Sequence, residues 1–335
     1  MAVQCSVAES PRVFAAEVTP FVAGDVRPAL TVELKADGMS GYGEIVGWPG
    51  RRAFPDVTSV HTAAGRVTDL SPDRDGLQAA LALLGDADLD PGAAWGVASA
   101  FAEVVSAVTG TPLPRLWRGD SLRPCEVVVE TETTGLMLRL GDVPPGRGLK
   151  LKIRPDSDPA ALRALAVTRP PGTLRLDGNH ALTPRAAATL AEAAGAALQW
   201  LEEPVAPRDF GAFGDSWPLA LDESLAEGRL DDVARLIDRT APKALVLKPA
   251  ALGPARTLSL AALGRARGIS VVISSLFEGA RGLRALAGLQ AGLALDVAAG
   301  LGTGRFLVRQ DESRVDGAGR VMMPLPHASR ADGRP

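Results

Sequence analysis

From Cys125 onward the sequence repeats one pattern: a short apolar run, a polar turn, a stretch with helical spacing, then another run. The runs lie at 125–131 (CEVVVET), 149–153 (LKLKI), 173–177 (TLRLD), 198–202 (LQWLE), 218–222 (PLALD), 244–248 (ALVLK), 270–275 (SVVISS) and 294–299 (ALDVAA). Helical spacing fills 159–168, 184–197, 229–240, 254–267 and 280–292, with Pro184 and Pro254 where a first helical turn accepts proline. Strands alternating with helices join as parallel βαβ units. Eight such runs predict a closed α/β barrel of the TIM type, with an open doubly wound sheet as the alternative. The connection at 132–148 is only weakly helical.

The first 120 residues read differently. Residues 12–22 and 28–36 have strand character, DGMSG (37–41) reads as a turn, and YGEIV (42–46) resumes the sheet. After a loop, GWPGRRAFPD, helices are expected at 73–85 and 92–110, and 110–124 reads as a linker. The expected organisation is an α+β domain at 1–118, a barrel at 119–308 and a C-terminal segment at 309–335.

Net charge is −3 without a basic stripe, which argues against nucleic acid as a partner. No secretory pattern opens the chain, and no apolar run approaches the roughly 20 residues of a membrane span. Two distant cysteines, Cys5 and Cys125, lack metal-type spacing, so a reducing cytoplasm is the expected compartment.

Active sites of such barrels form at the C-terminal ends of the strands. The runs from the second to the seventh end in Lys152, Asp177, Glu202, Asp222, Lys248 and Ser274-Ser275, so one strand–helix unit carries each group to the same rim. Three converging carboxylates repel unless a cation lies among them, and all-oxygen ligands suit Mg²⁺, with Mn²⁺ as a substitute. Three histidines in the whole chain argue against zinc. The chain has 31 arginines and five lysines, and Lys150, Lys152 and Lys248 all fall on these runs. Lysine, unlike arginine, can give up its proton. Lys152 and Lys248 are therefore expected on opposite sides of the cation, with Lys150 one layer below Lys152 on the same strand face. Asn179, the only asparagine, follows Asp177 by two, either as an amide at the site or as a left-handed turn residue.

In order, KLK (150–152), DGN (177–179), EEP (202–204), DES (222–224) and KP (248–249) resemble the signature of the enolase superfamily, muconate lactonizing enzyme subgroup. GYGEIVGWPG (41–50) is similar to a segment of that family's capping domain. ISSLFEGARGL (273–283) and AAGLGTGRFL (298–307) resemble the o-succinylbenzoate synthases within the subgroup. The eighth-strand Asp-x-Asp of dipeptide epimerases is missing.

The resemblance implies a (β/α)7β barrel with an N-terminal α+β capping domain, to which the C-terminal segment returns. It implies that Asp177, Glu202 and Asp222 hold Mg²⁺, that Lys152 removes and returns the α-proton, and that Lys248 stabilises the enediolate. Lys150, Asn179, Glu223, Ser274 and Ser275 would contact the substrate or support the ligands. The implied partner is a small carboxylate, with the chain acting as a monomer or homo-oligomer. The alternatives are an N-acylamino acid racemase or another lysine-based epimerase or cycloisomerase of the superfamily, and a non-catalytic scaffold that binds a small acid. Arg51 and Arg52 replace the family's Phe-Ser in the capping loop, either to clamp a succinyl carboxylate or to face water.

Overall fold

The computed structural model describes residues 4–9, 12–13, 26–27, 29–48, 51, 54–117, 129–132, 146–212, 217–303, 314–315 and 321–322. The N-terminal unit contains β1 (Gln4–Glu9), β2 (Arg12–Val13), β3 (Val26–Arg27), β4 (Ala29–Ala36) and β5 (Met39–Val46). It continues with helices α1 (Val57–Gly65), α2 (Arg74–Leu83), α3 (Pro91–Thr109) and the single turn α4 (Leu113–Leu116). β1, β4 and β5 form an antiparallel sheet in that order. The β4–β5 turn is tighter than the five residues expected. Asp37 (φ 53°) and Gly38 (φ 77°) make it alone, and both left-handed residues suit the twist of a two-residue hairpin.

Each of α1, α2 and α3 starts at an aspartate, Asp56, Asp73 and Asp90, whose carboxylate accepts the backbone N–H three residues on. Helix α1 was not expected, because its mixed sequence VTSVHTAAG shows weak periodicity; the Asp56 cap was its signal. Helix α3, contrary to expectation, is long and apolar enough to cross a membrane by length and composition. It is instead the buried core helix of this domain. Close approach of β5 to α3 explains the glycines of GYGE: a Cβ on Gly41 would lie 2.3 Å from Ala100 O, and one on Gly43 1.7 Å from Gly96 O.

The second unit contains β6 (Val129–Glu132), β7 (Leu149–Lys152), α5 (Pro159–Ala166), β8 (Leu174–Asp177), α6 (Pro184–Ala194), β9 (Leu198–Glu202) and β10 (Leu219–Leu221). It continues with α7 (Leu230–Thr240), β11 (Ala244–Leu247), the short α8 (Pro249–Leu252), α9 (Pro254–Ala266), β12 (Ser270–Ile273) and α10 (Ala280–Gly292). Strands β6 to β12 pair in parallel and in consecutive order, which a doubly wound sheet would not do. This is the (β/α)7β barrel with an α+β cap.

The eighth run is shorter than expected. Ala294 turns left-handed (φ 52°) after α10, and bridging sets in at Ala299 and Gly300, where Gly300 pairs in parallel with Ser274. The short strands β13 (Arg314–Val315) and β14 (Val321–Met322) form an antiparallel pair. The domain boundary expected at 118–119, the capping loop at 21–25, Arg52, Cys125 and most of 309–335 lie outside the described residues.

The barrel interior is a core of its own, built from Trp200, Ala220, Ala244, Val246 and Val272. The buried Arg175 guanidinium stacks 4.1 Å from the Trp200 ring centroid. Because strand side chains alternate, residues two positions beyond this layer, Glu202, Asp222, Lys248 and Ser274, also face inward, at the rim.

Candidate active site

The three carboxylates converge as the spacing requires. Asp177, Glu202 and Asp222 are 0%, 1% and 3% exposed, and each offers an oxygen within 4.8 Å of the others. Strand register produces this: Lys152 pairs with Asp177, and Asp177 with Glu202, across β7, β8 and β9.

The lysines interleave with them. Lys150 Nζ lies 2.9 Å from Asp177 Oδ2 and 2.5 Å from Glu202 Oε1. Lys152 Nζ donates to Asp177 Oδ2 at 2.5 Å and to Asn179 Oδ1 at 2.7 Å. Lys248 Nζ bonds Asp222 Oδ2 and lies 3.8 Å from Glu223 Oε1. The Lys152 side chain is 27% exposed, that of Lys248 only 9%. Burial opposes the charge on Lys248, but Asp222 and Glu223 outweigh it and hold its pKa above the usual lysine range. Burial likewise opposes ionisation of Asp177, and Lys150, Lys152 and Lys248 outweigh it, so that pKa lies well below the usual range.

Glu203, beside Glu202, is a hub that the sequence did not reveal. It is fully buried. Its Oε1 accepts the N–H groups of Asp222 and Ser224, and its Oε2 accepts the Ser224 hydroxyl. His180 Nε2 faces Oε2 at 2.7 Å. Burial lowers the His180 pKa, but the bond to Glu203 and the charges of Glu203 and Glu223 more than offset this, so it is raised. The Glu203 carbonyl accepts the His180 N–H at 2.6 Å. Asn179 (φ 42°), His180 (φ 64°) and Glu203 (φ 38°) are all left-handed, so this network pins three strained residues at the ends of β8 and β9. The doubled acid of EEP was the available signal.

Asn179 satisfies both readings of the sequence, a left-handed residue whose amide also works: its Nδ2 donates to Glu223 Oε1 at 2.9 Å. Ser274 and Ser275 follow β12, and their hydroxyls bond Gly300 O, in the eighth run's pairing, and Thr303 Oγ1 just beyond it. Arg51 reaches across to Glu227 at 3.4 Å, tying the capping loop to the loop after β10.

A divalent cation fits this donor set. Asp177, Glu202 and Asp222 crowd together in a buried place, and burial with the charges of Glu223 and Glu202 pushes the Asp222 pKa well up, a crowding that a cation relieves. The three oxygen donors that converge suit a hard ion.

The fold and site define a barrel enzyme of the enolase type, with acids on three successive strands between lysines on the second and sixth. Residues 139–312 match the family model described as enolase C-terminal domain-like, and the chain belongs to that family. It is 29% identical over 288 residues to the o-succinylbenzoate synthase of Klebsiella pneumoniae, covering 83% of each chain. The crystal structure of MenC from Desulfotalea psychrophila superposes with a TM-score of 0.72 at 21% identity, over 96% of this chain and 100% of that one. A dipeptide epimerase from Enterococcus faecalis superposes with a TM-score of 0.78 at 18% identity, over 96% of both.

Proposed function

We propose that the chain is an o-succinylbenzoate synthase, dehydrating 2-succinyl-6-hydroxy-2,4-cyclohexadiene-1-carboxylate to o-succinylbenzoate in menaquinone biosynthesis. The supporting observation is the asymmetry of the two lysines. Lys248 is buried against Asp222 and Glu223, whereas Lys152 stands partly open at the rim. One accessible base and one fixed cation suit dehydration; racemisation needs a base on each face.

A Mg²⁺ or Mn²⁺ ion held by Asp177, Glu202 and Asp222 would supply the charge that makes the α-proton of a bound carboxylate acidic. Lys152 takes that proton, breaking the C–H bond. Lys248 offsets the negative charge that grows on the opposite side. Lys152 then returns the proton to the departing hydroxyl, so the C–O bond breaks, water leaves and the ring becomes aromatic. Lys150, held to Asp177 and Glu202, keeps two of the carboxylates in place. This reading includes a cap at 1–118, a catalytic barrel at 119–308, a C-terminal segment returning to the cap, a small carboxylate as partner and a cytoplasmic location.

Appearance of the aromatic product from the cyclohexadiene substrate, lost in Lys152→Ala and with a chelator, is the expected result. No turnover by protein that binds Mn²⁺ would overturn the assignment. In that case, α-proton exchange on N-succinyl amino acids in D₂O identifies a racemase.

A further inference from the structure

The GYGE segment has a use that the chemistry of the rim leaves unexplained. Its glycines face α3, so Tyr42 and Glu44, one step out of phase, face the other way. There they meet the start of α10 on the barrel. Tyr42 receives the Arg281 guanidinium 3.9 Å from its ring centroid. Glu44 Oε2 accepts the backbone N–H of Gly282 at 2.9 Å. Glu103, on α3, accepts the Tyr42 N–H and pairs with Arg284 at 3.3 Å.

Gly282 is the third residue of α10, and its N–H is one of the donors that a helix cannot satisfy internally. The residue that should cap it, Gly279, has no side chain to do so. Glu44 supplies the missing acceptor from another domain. The site is built for it: a Cβ on Gly282 would lie 2.8 Å from Glu44 Oε2 and 2.4 Å from Glu278 Cβ.

The segment between β12 and α10 carries Ser274 and Ser275 and then strained backbone. Phe277 is left-handed (φ 66°), a conformation that a residue with a Cβ keeps only when its surroundings impose it. Ser275 Oγ accepts the Phe277 N–H at 3.4 Å, and Glu278 Oε2 accepts that of Leu276 at 2.6 Å. The strand end anchors one side of this segment and the start of α10 the other.

We propose that Glu44 is a positioning residue: by capping α10 across the domain boundary, it holds the seventh-strand segment 274–279 in its strained, site-forming conformation. It touches no reacting atom. The effect on catalysis rests on the function proposed above; the effect on the segment does not.

Hydrogen exchange on the full chain tests this. Glu44→Ala removes the acceptor, Gly282→Ala crowds it out, and Glu44→Gln keeps an acceptor oxygen. The first two are expected to speed amide exchange across 276–283 by about tenfold, the scale of a lost cap. Exchange in β8 to β11 and Mn²⁺ affinity stay unchanged, and Glu44→Gln restores protection. With the cyclohexadiene substrate, KM rises about tenfold in the two disruptive variants while kcat changes less. Unchanged exchange at 276–283, or a uniform rise over the whole chain, overturns the proposal. Selective loss of protection in a protein whose wild type does not turn over that substrate would uphold the cap and refute only the proposed reaction.

Discussion

Lys152 Nζ donates to Asn179 Oδ1 at 2.7 Å, and the same amide donates to Glu223, which faces Lys248. The chain's single asparagine thus stands between the two lysines as a neutral link that can donate to one side and accept from the other. Its backbone is left-handed (φ 42°), a conformation that costs alanine about 1 kcal/mol and glycine almost nothing. Asn179→Gly is therefore expected to keep a near-native Tm and lose turnover, while Asn179→Ala loses both. Calorimetry beside an activity assay separates the two; full activity in Asn179→Gly would show that only the turn matters.

Lys152→Ala is expected to lower kcat by about 10³-fold, within the range for removal of a general base. Mn²⁺ still binds, because Lys152 holds only one of the three converging acids, Asp177. Steady-state kinetics beside a metal titration checks both halves.

Glu203→Ala leaves the N–H groups of Asp222 and Ser224 and the Ser224 hydroxyl without an acceptor in a fully buried place. The expected loss is about 3 kcal/mol of stability. Chemical denaturation measures it, and a loss under 1 kcal/mol would refute the hub.

Divalent cation should stabilise the chain, since it binds only where the fold brings three acids together. At a hundredfold excess over Kd the gain is about 2.7 kcal/mol. Mg²⁺ or Mn²⁺ raises Tm, a chelator reverses it, and Glu202→Gln removes most of the effect.

Glu103 provides a pH dependence remote from the reaction. Burial raises its pKa above 4.5, against the pull of Arg284 and the Tyr42 N–H. The folded state therefore holds this proton more tightly than the unfolded one, and stability rises as pH falls through the folded pKa toward 4.5. Glu103→Gln lacks this component. Its Tm minus that of the wild type is expected to shrink as pH falls from neutral toward 4.5, and a constant difference would count against the shift.

Much of the barrel was readable in the sequence because its signals are local. An apolar run marks a strand, and a fixed length of strand plus helix brings Lys152, Asp177, Glu202, Asp222 and Lys248 to one rim without any tertiary detail. Weak periodicity hides helix α1, and the left-handed turn at Ala294 has no signal in the apolar pattern of the eighth run.

The sequence by itself determined the strand–helix alternation and the chemical type at each strand end, since both depend on residue order and side-chain period alone. Only the tertiary structure decided which partner each group takes. Glu203 became a hub, Asn179 a link between lysines and Glu44 a cap for a helix 238 residues away. Hydrogen bonds act over about 3 Å, and nothing in the order of residues states which distant groups folding brings that close.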